Sequence, residues 1–376
     1  MSTDLSTLSL FRATPEQAIE TRRRTLNEWG KGLTLEEHLD RDASQEDYDC
    51  SRDGRFSSWV LAPREDPQTL EFKCACETFK RTGLVVDPSK SKSAEVVTCY
   101  GVASVFTPAA NRGKGFARHM MRLLHWVLAD ESLLPPSEFP TVWGAPPPKV
   151  DGTRNGRFSA LWSDVGDFYG ACGPVHPGEG WVIRGTATTI WDVDTSTVPA
   201  EARDWTWLDY AGCSKLWEED AESMRSDMEN SASPGLRFSY LPTHGVASYQ
   251  PRRLEMYLQR LPTPPQTWGV TSSDHTTYAT WAIDPRPPAP RTLVVTRLRA
   301  NPQRFRELVG KILELARKYD VKRVEMWNLS TELDNIARTL NATTHMREEH
   351  LPAFKWYGKE PEVQISWFFN ERFCWC

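Results

Sequence analysis

The clearest change in the pattern of apolar positions along the chain lies at Pro108. Before it, residues 94–107 (AEVVTCYGVASVFT) are rich in apolar and β-branched residues, as expected of a strand. After it, apolar residues recur at spacings of 4, 3, 1, 3 and 1 from Phe116 to Leu128, which places them on one face of a helix that ends near Asp130. The sequence therefore predicts a strand, a turn and an amphipathic helix in succession.

Two helices and several strands are predicted around this unit. Thr14-Pro15-Glu16 has the proline and the acidic residue typical of a first helical turn, and Gly30 is expected to end that helix. A second, charge-rich helix is predicted from Thr34 to about Asp42. Strand-like runs follow at 57–63, 69–79, 157–162 and 180–193, with a short helix near 164–171 and an irregular, proline-rich loop at 135–156.

The order strand, helix, strand, helix returns in the second half of the chain. Helical, charge-rich stretches at 203–230 and near 251–260 precede a proline-rich break at 284–290. A strand (RTLVVTRL), a helix with apolar residues at helical spacing from Phe305 to Ala316, a strand (VKRVEMW) and a helix (TELDNIARTL) then follow. We therefore expect an α+β (mixed α/β) protein in which residues 1–199 form one domain and residues 200–376 form a second copy of the same fold.

Composition excludes several classes of protein. The chain has 376 residues, 25% charged and 39% hydrophobic, with 45 basic against 50 acidic side chains and a net charge of -5. This is a globular balance, and it argues against a general nucleic-acid partner, which needs a basic surface. No apolar run approaches the roughly 18 residues of a membrane span. We expect a soluble, cytoplasmic monomer or weak dimer with reduced cysteines and no metal.

The turn between the predicted strand at 94–107 and the helix that starts near Phe116 carries the strongest indication of a binding site. Residues 105–117 (VFTPAANRGKGFA) place glycines immediately before a helix, whose N-terminus offers unpaired N–H groups and a positive dipole end to a phosphate. The dinucleotide pattern G-x-G-x-x-G fails because Arg118 occupies the last position. The pattern G-x-x-x-x-G-K-[ST] fails at its first glycine and at its final hydroxyl.

The pattern R-x-x-G-x-[GA] does match, with Arg112 followed by GKGFA. Here the sequence resembles the GCN5-related N-acetyltransferase (GNAT) superfamily, in which this loop holds the pyrophosphate of coenzyme A. The resemblance implies a central, mixed, twisted sheet flanked by helices, and acetyl-CoA as co-substrate. It implies cofactor contacts at Val105, Phe106, Arg112, Gly113, Lys114, Gly115, Phe116 and Ala117. A strand N–H at Val105 or Phe106 would stabilise the oxyanion.

A second stretch resembles the same superfamily about fifty residues downstream. The family often has A-x-x-[LF]-Y-x-x-x-G-[FW], and residues 165–174 (VGDFYGACGP) keep the Phe-Tyr pair and the glycine. The stretch departs from the pattern at Val165 and Pro174. The resemblance implies that Tyr169 is the catalytic acid, which protonates the departing thiolate.

Three longer segments, VFTPAANRGKGFARHMMRLL, ALWSDVGDFY and HLPAFKWYG, are similar to the fungal lysine N6-acetyltransferase group. These proteins join a catalytic domain to a degenerate acetyltransferase-like domain. The resemblance implies acetyl transfer to the ε-amine of free L-lysine, or of a similar small amine, by direct attack in a ternary complex. The second strand-to-helix junction, residues 297–304, has no glycine, so we expect no second cofactor site there and expect this domain to cover or complete the substrate pocket.

Several alternatives stay open at this point. An alkyl amine with a pKa near 10.4 is neutral in only about one molecule in 2,500 at pH 7, so a base or water chain is required, and Glu95 and Asp164 are both candidates. Gly101 is a candidate for the bulge that the family carries in this strand. Two other functions also stay open: acetylation of lysines in proteins or peptides, and a non-catalytic role as an acyl-CoA-binding scaffold. In the last case Tyr169 is a core tyrosine.

Overall fold

The computed structural model describes residues 4–196 and 204–376, which form two β-sheets with helices packed against them. The helices are α1 (Pro15–Trp29), α2 (Leu35–Ser44), α3 (Phe116–Leu128), α4 (Tyr210–Asn230), α5 (Tyr249–Leu258), α6 (Pro302–Lys318) and α7 (Thr331–Thr339). The strands are β1 (Leu8–Arg12), β2 (Phe56–Pro63), β3 (Cys74–Val86), β4 (Glu95–Phe106), β5 (Phe158–Ser163), β6 (Val182–Ile183), β7 (Ala187–Asp192), β8 (Trp205–Leu208), β9 (Arg237–Tyr240), β10 (Gly269–Ser272), β11 (Tyr278–Asp284), β12 (Thr292–Arg299), β13 (Arg323–Trp327), β14 (Thr343–Met346), β15 (Leu351–Trp356) and β16 (Ser366–Trp367).

The first two helices begin where their capping residues predict. The Thr14 hydroxyl accepts the N–H of Gln17, and the Gln17 side chain accepts the N–H of Thr14 in return. Thr34 and Glu37 form the same reciprocal pair at the start of α2. Each pair satisfies two N–H groups that the helix itself leaves unpaired, which fixes the first turn.

The first sheet has the strand order β1-β2-β3-β4-β5-β15-β6, and β9 and β16 extend it beyond the far end of β3. All neighbours on the main path are antiparallel except β4 and β5, which are parallel. Helix α3 connects these two parallel strands, and its apolar face, including Met120 and Leu124, is fully buried. The predicted strand, turn and helix are confirmed.

The second sheet repeats this arrangement strand for strand. Its order is β8-β10-β11-β12-β13-β7-β14, and again only the central pair, β12 and β13, is parallel. Helix α6 connects that pair and buries the apolar face that includes Phe305 and Ile312. The prediction of a mixed fold present in two copies is confirmed.

Each sheet takes its sixth strand from the other half of the chain. Strand β15 lies between β5 and β6 of the first sheet, and β7 lies between β13 and β14 of the second. Residues 199 and 200, where the sequence predicts the division between domains, lie outside the described residues. Strand β15 of the second half thus belongs to the first sheet, and β7 of the first half belongs to the second sheet. The division at 199/200 stays a prediction.

Some local predictions differ from the structure. The strand-like run at 180–193 is divided between β6 of the first sheet and β7 of the second. Residues 164–171 form only a single 3₁₀ turn at Phe168–Ala171, because the glycines at 166 and 170 and the following Cys172-Gly173-Pro174 do not sustain a helix. Residues 205–208, placed in a helical stretch by their charged surroundings, form β8 at the edge of the second sheet. A helix begins only at Tyr210, where the Asp209 side chain accepts the N–H of Gly212.

A shared apolar core joins the two halves. Phe158 of β5 contacts Phe238 of β9 with ring centroids 4.4 Å apart, and the same buried cluster includes Trp217 of α4 and Trp327 of β13. All eight cysteines are buried and unpaired. No helix among the described residues is long and apolar enough to cross a membrane.

Candidate active site

The two parallel strands at the centre of the first sheet pair over only three residues and then separate. Cys99 to Gly101 of β4 face Phe158 to Ala160 of β5. Beyond them, residues 102–106 and 161–163 continue as strands without pairing to each other. The sheet therefore opens between the carboxyl ends of β4 and β5, the edge at which parallel strands present ligand-binding residues.

A one-residue bulge marks the start of this opening. Ala103 lies opposite Glu77 on β3, but Phe106 lies opposite Ala75, so β4 contains one more residue than its partner over this interval. Ser104 takes a left-handed conformation there, with φ of 53°. A bulge bends its strand and increases the local twist, which turns the end of β4 away from β5.

Gly101 is not the bulge residue, so that candidate was wrong. It pairs regularly with Phe79 of β3. A Cβ atom at this position would lie 2.7 Å from Cys376 Sγ and 3.1 Å from Arg81 Cζ. Glycine is required at this position because Cys376 and Arg81 pack closely against the strand. The strand changes direction three residues later, at Ser104.

The predicted strand contacts, Val105 and Phe106, lie in this opening. Both are half-buried, as is Ser104, whereas the preceding Val102 is fully buried. Phe106 also meets the ring of Trp29 from α1 edge-on, with centroids 5.9 Å apart. The structure thus places these two residues at the open end of β4, where the strand no longer pairs with β5.

The glycine-rich turn presents a row of unpaired backbone donors. Gly113 and Gly115 adopt left-handed conformations, with φ of 76° and 82°, and α3 begins at Phe116. Within the described residues, no acceptor is paired with the N–H groups of residues 113–118. Six free donors at the positive end of a helix dipole fit a diphosphate. The structure brings the predicted residues 113–117 together as one cradle.

The two basic residues of the turn are exposed. Arg112 donates from Nε to the Thr107 carbonyl at 3.0 Å, and its Nη2 lies 3.1 Å from Glu28 Oε1. Arg112 therefore braces the turn against β4, and Lys114 projects into solvent beside the free donors. Both contribute positive charge at the mouth of the cradle.

Tyr169 lies in the 3₁₀ turn after β5, buried between α3 and the sheet. Its ring packs edge-on against Trp181, with centroids 6.3 Å apart, in the same cluster as Phe116. Burial raises the pKa of the phenol, and the neighbouring Cys172 and Cys76 add to the rise. Among the described residues its hydroxyl has no hydrogen-bond partner. A protonated, uncommitted phenol is suited to donating a proton.

The two acids considered as bases are poorly placed. Glu95 is exposed at the start of β4, nine residues before Ser104, or about 30 Å at 3.3 Å per residue. Asp164 accepts the backbone N–H of His350 at 2.7 Å and lies 2.9 Å from its Nδ1. Burial opposes ionisation of Asp164, but these bonds outweigh it and lower the pKa of the carboxyl. Neither faces the bulge.

A carboxylate that the sequence analysis missed does face the bulge. Glu77 lies on β3 beside Ser104, at the base of a narrow cleft between β3, β4 and helices α1, α2 and α5. The cleft is lined by Thr21, Arg22, Thr25, Trp29, Arg41, Asp42, Gln45, Glu77, Ser104 and Arg253. The signal in the sequence is a single acid inside an otherwise apolar strand, CACETF, at the sheet centre.

The second sheet opens in the same way, but its opening is closed by the chain itself. Strands β12 and β13 pair only up to Val294, and β12 carries a one-residue bulge opposite Thr280 and Trp281. The Glu371 carboxylate accepts the N–H of Leu298 at 2.8 Å and binds Arg297 at 2.6 Å. A cavity of about 660 Å³ lies beside them.

The second strand-to-helix junction offers few free donors. Pro302, the first residue of α6, has no N–H, and the Asn301 side chain accepts the N–H of Arg304 at 2.9 Å. Both features reduce the number of N–H groups that this junction offers, and the absence of a second cofactor site stays a prediction. Of the charged residues that line the cavity beside it, Arg297 binds Asp220 and Glu371, and Arg299 binds Asp227.

Comparisons with known proteins agree with this architecture. Residues 191–376 match the family described as LYC1 GNAT-like C-terminal domain. A curated relative from Yarrowia lipolytica, named "Lysine acetyltransferase", is 28% identical over 182 residues, which are 48% of this chain and 42% of the relative. The chain thus matches less than half the length of that relative.

Solved structures show the same fold over nearly the whole chain. A probable N-acyltransferase from Enterococcus faecalis V583 has a TM-score of 0.54 at 12% identity, covering 93% of this chain and 73% of that one. A GCN5-related N-acetyltransferase from Anabaena variabilis has a TM-score of 0.55 at 10% identity, with the same two coverages. Residues 191–376 therefore match the LYC1 GNAT-like C-terminal domain family, and the chain as a whole has the fold of the GNAT acetyltransferases.

Proposed function

We propose that the protein is an acetyl-CoA-dependent N-acetyltransferase that acetylates the ε-amine of free L-lysine or of a similar small amine. The observation that carries this proposal is the cradle of free N–H groups at residues 113–118, next to the open end of β4. The name of the Yarrowia lipolytica relative supports the choice of lysine. No metal is part of the proposal.

Each group of residues in the site performs one part of the proposed reaction. The N–H groups of 113–118 bind the diphosphate of the donor, and the opening between β4 and β5 receives its extended arm. A backbone N–H at Val105 or Phe106 stabilises negative charge that develops on the carbonyl oxygen. Tyr169 gives its proton to the departing sulfur. Direct attack by the amine in a ternary complex requires no covalent enzyme intermediate.

The cleft beside the bulge favours a small amine over a protein. Helices α1, α2 and α5 wall it on three sides, and both cationic and anionic side chains line it, including Arg253 and Asp42. A free amino acid carries both charges, whereas a lysine within a protein needs an open groove for its flanking chain. Acetylation of protein lysines is therefore the alternative that the experiment below separates.

The test is thiol release from acetyl-CoA over a panel of amines: L-lysine, its α-blocked and ε-blocked forms, polyamines and a lysine peptide. We expect turnover only where the ε-amine of a free amino acid is open. Tyr169→Phe should lower kcat by about 10²- to 10⁴-fold with unchanged coenzyme A affinity. Tyr319→Phe, a buried tyrosine of the second core, is the matched control and should be fully active.

Two results would contradict this proposal. Activity on the peptide alone would make the protein a peptide lysine acetyltransferase. Coenzyme A binding without turnover of any amine would make it a non-catalytic acyl-CoA-binding scaffold.

A further inference from the structure

Glu77 is the carboxylate that β3 presents to the bulge of β4. Its Cα pairs with Ala103, immediately before Ser104. Side chains alternate along a strand, so the adjacent Cys76 and Thr78 point to the opposite face, where they are 1% and 2% exposed. Glu77 is half-buried and lines the cleft together with Ser104. It therefore reaches the part of the site where an amine meets the end of β4.

The charges around Glu77 come from every helix that forms the cleft. Arg22 of α1 is bound to Glu46, and Arg41 of α2 is bound to Asp42 at 2.6 Å. Arg253 of α5 differs, because no carboxylate among the described residues lies within 4 Å of it and its Nε has no partner. Arg253 is half-buried, and its unpaired Nε is shielded from solvent, so it keeps hydrogen-bonding capacity that an anionic group can use. The cleft is thus prepared for a ligand that brings a negative charge as well as an amine.

The surroundings of Glu77 adjust its basicity. Burial raises the pKa of this carboxyl, and the Asp42 charge adds to the rise. The Ser104 hydroxyl, Arg22 and Arg253 oppose it, and the charge of Glu77 in turn raises the pKa of Cys76, Tyr249 and Cys376. A carboxylate whose pKa is raised binds a proton more strongly than an exposed one, which favours a role as general base.

We propose that Glu77 is the general base of the reaction, and this inference rests on the proposed function. The substrate ammonium gives one proton to the Glu77 carboxylate, which passes it to solvent. The neutral nitrogen then forms the C–N bond, the C–S bond breaks, and the sulfur takes the proton of Tyr169. The nitrogen loses its second proton as the amide forms, which restores the phenol. One proton is released in each turnover.

The same geometry assigns the substrate's carboxylate to Arg253. Arg253 and Glu77 line one narrow cleft of about 10 Å³, so an amino acid with its amine at Glu77 and its acidic group towards α5 binds only if the side chains of the cleft move apart. The guanidinium also lies over the ring of Trp375, with Cζ 5.3 Å from the centroid, which holds it in place. The substrate class is therefore a primary amine that also carries a carboxylate.

The experiment compares Glu77→Gln with wild type over a range of pH, using L-lysine and acetyl-CoA. At neutral pH we expect kcat to fall by about 10²- to 10⁴-fold, the usual contribution of a general base. In wild type the rate falls as acid protonates Glu77. In the variant the rate should rise with pH towards the pKa of the amine itself, near 10.4, so the defect shrinks in alkali. Glu77→Asp should recover part of the activity.

Matched controls exclude a merely structural role. Glu95→Gln makes the same change at the remote end of β4 and should leave kcat and its pH profile unchanged. Coenzyme A affinity and melting temperature of Glu77→Gln should match wild type. Arg253→Gln should raise KM for L-lysine far more than it raises the inhibition constant of cadaverine, the same diamine chain without a carboxylate.

Several outcomes would overturn the inference. A fully active Glu77→Gln would do so, as would a loss of equal size at every pH that Glu77→Asp does not relieve. Equal effects of Arg253→Gln on lysine and cadaverine would remove the carboxylate assignment. Wild-type protein that acetylates no amine would overturn both this inference and the proposed function, whereas an active wild type with an active variant overturns only the inference.

Discussion

The junctions β4–α3 and β12–α6 occupy the same place in two sheets of identical strand order, and they differ in what their backbone leaves free. The first turn holds two left-handed glycines and six unpaired N–H groups. The second holds Asn301, whose side chain caps the helix, and Pro302, which has no N–H to offer. The architecture is thus retained in both copies, whereas the number of unpaired N–H groups in the described turns differs because of a few residues.

The openings between the parallel strands of the two sheets also differ in what is left to pair with their backbone N–H groups. In the first sheet, Ser104, Val105 and Phe106 stay half-buried, and Ser104 lines a cleft. In the second, Glu371 supplies a carboxylate to the N–H of Leu298 and to Arg297. A splayed sheet exposes backbone donors that must find acceptors. A ligand can provide them in the first copy, and the protein's own side chain provides them in the second.

The largest expected effect comes from breaking the charge cluster in the second opening. Asp220 is fully buried and binds Arg297 through both oxygens, at 2.6 Å and 3.1 Å. Asp220→Asn removes a buried negative charge that is paired with the Arg297 guanidinium. It should lower the free energy of unfolding in urea by about 3–5 kcal/mol. Asp227→Asn removes an exposed partner of Arg299 and should cost at most about 1 kcal/mol. Equal losses would show that the second opening is not a charge-stabilised core.

A smaller effect, on binding, is expected at the first turn. Gly115→Val forces a β-branched residue into a left-handed conformation that costs about 1–2 kcal/mol and disturbs the free donors. Acetyl-CoA affinity, measured by calorimetry, should fall about tenfold to thirtyfold. Gly152→Val introduces the same strain at φ of 78° in a loop outside the turn and should leave affinity unchanged. Comparable losses in both variants would attribute the effect to stability alone.

The smallest effect is expected at the second turn. Asn301→Ala removes the capping side chain of α6 and should lower the free energy of unfolding by about 1 kcal/mol. Acetyl-CoA affinity should not change, because this turn binds no diphosphate. A measurable drop in affinity would mean that the two junctions are functionally alike, against the comparison drawn above.

Local signals in the sequence predicted the elements that local forces determine. Capping residues at Thr14 and Thr34 fixed the starts of α1 and α2, and helical periodicity located α3 and α6. The glycine-rich turn was identified because its chemistry depends on consecutive residues. Resemblance to a family then supplied Tyr169, whose role as proton donor stays a prediction.

The remaining features depend on contacts between distant residues, which no local pattern reveals. Glu77 faces the cleft because β3 pairs with a bulged strand, and the register of that pair places it beside Ser104. Glu371 closes the second opening although 73 residues separate it from Leu298. The exchange of β7 and β15 between the two sheets likewise could not be predicted, because the residues of these strands do not show which sheet they join.

That exchange sets the order in which the molecule is assembled during its synthesis. The first sheet needs β15 between β5 and β6, but 187 residues separate the end of β5 at Ser163 from the start of β15 at Leu351. A ribosome that adds about 5–20 residues per second takes roughly 10–40 s to cover that distance. During that interval β5 has an open edge that other chains can pair with. The half of the protein that carries the glycine-rich turn is therefore completed only after most of the other half has left the ribosome.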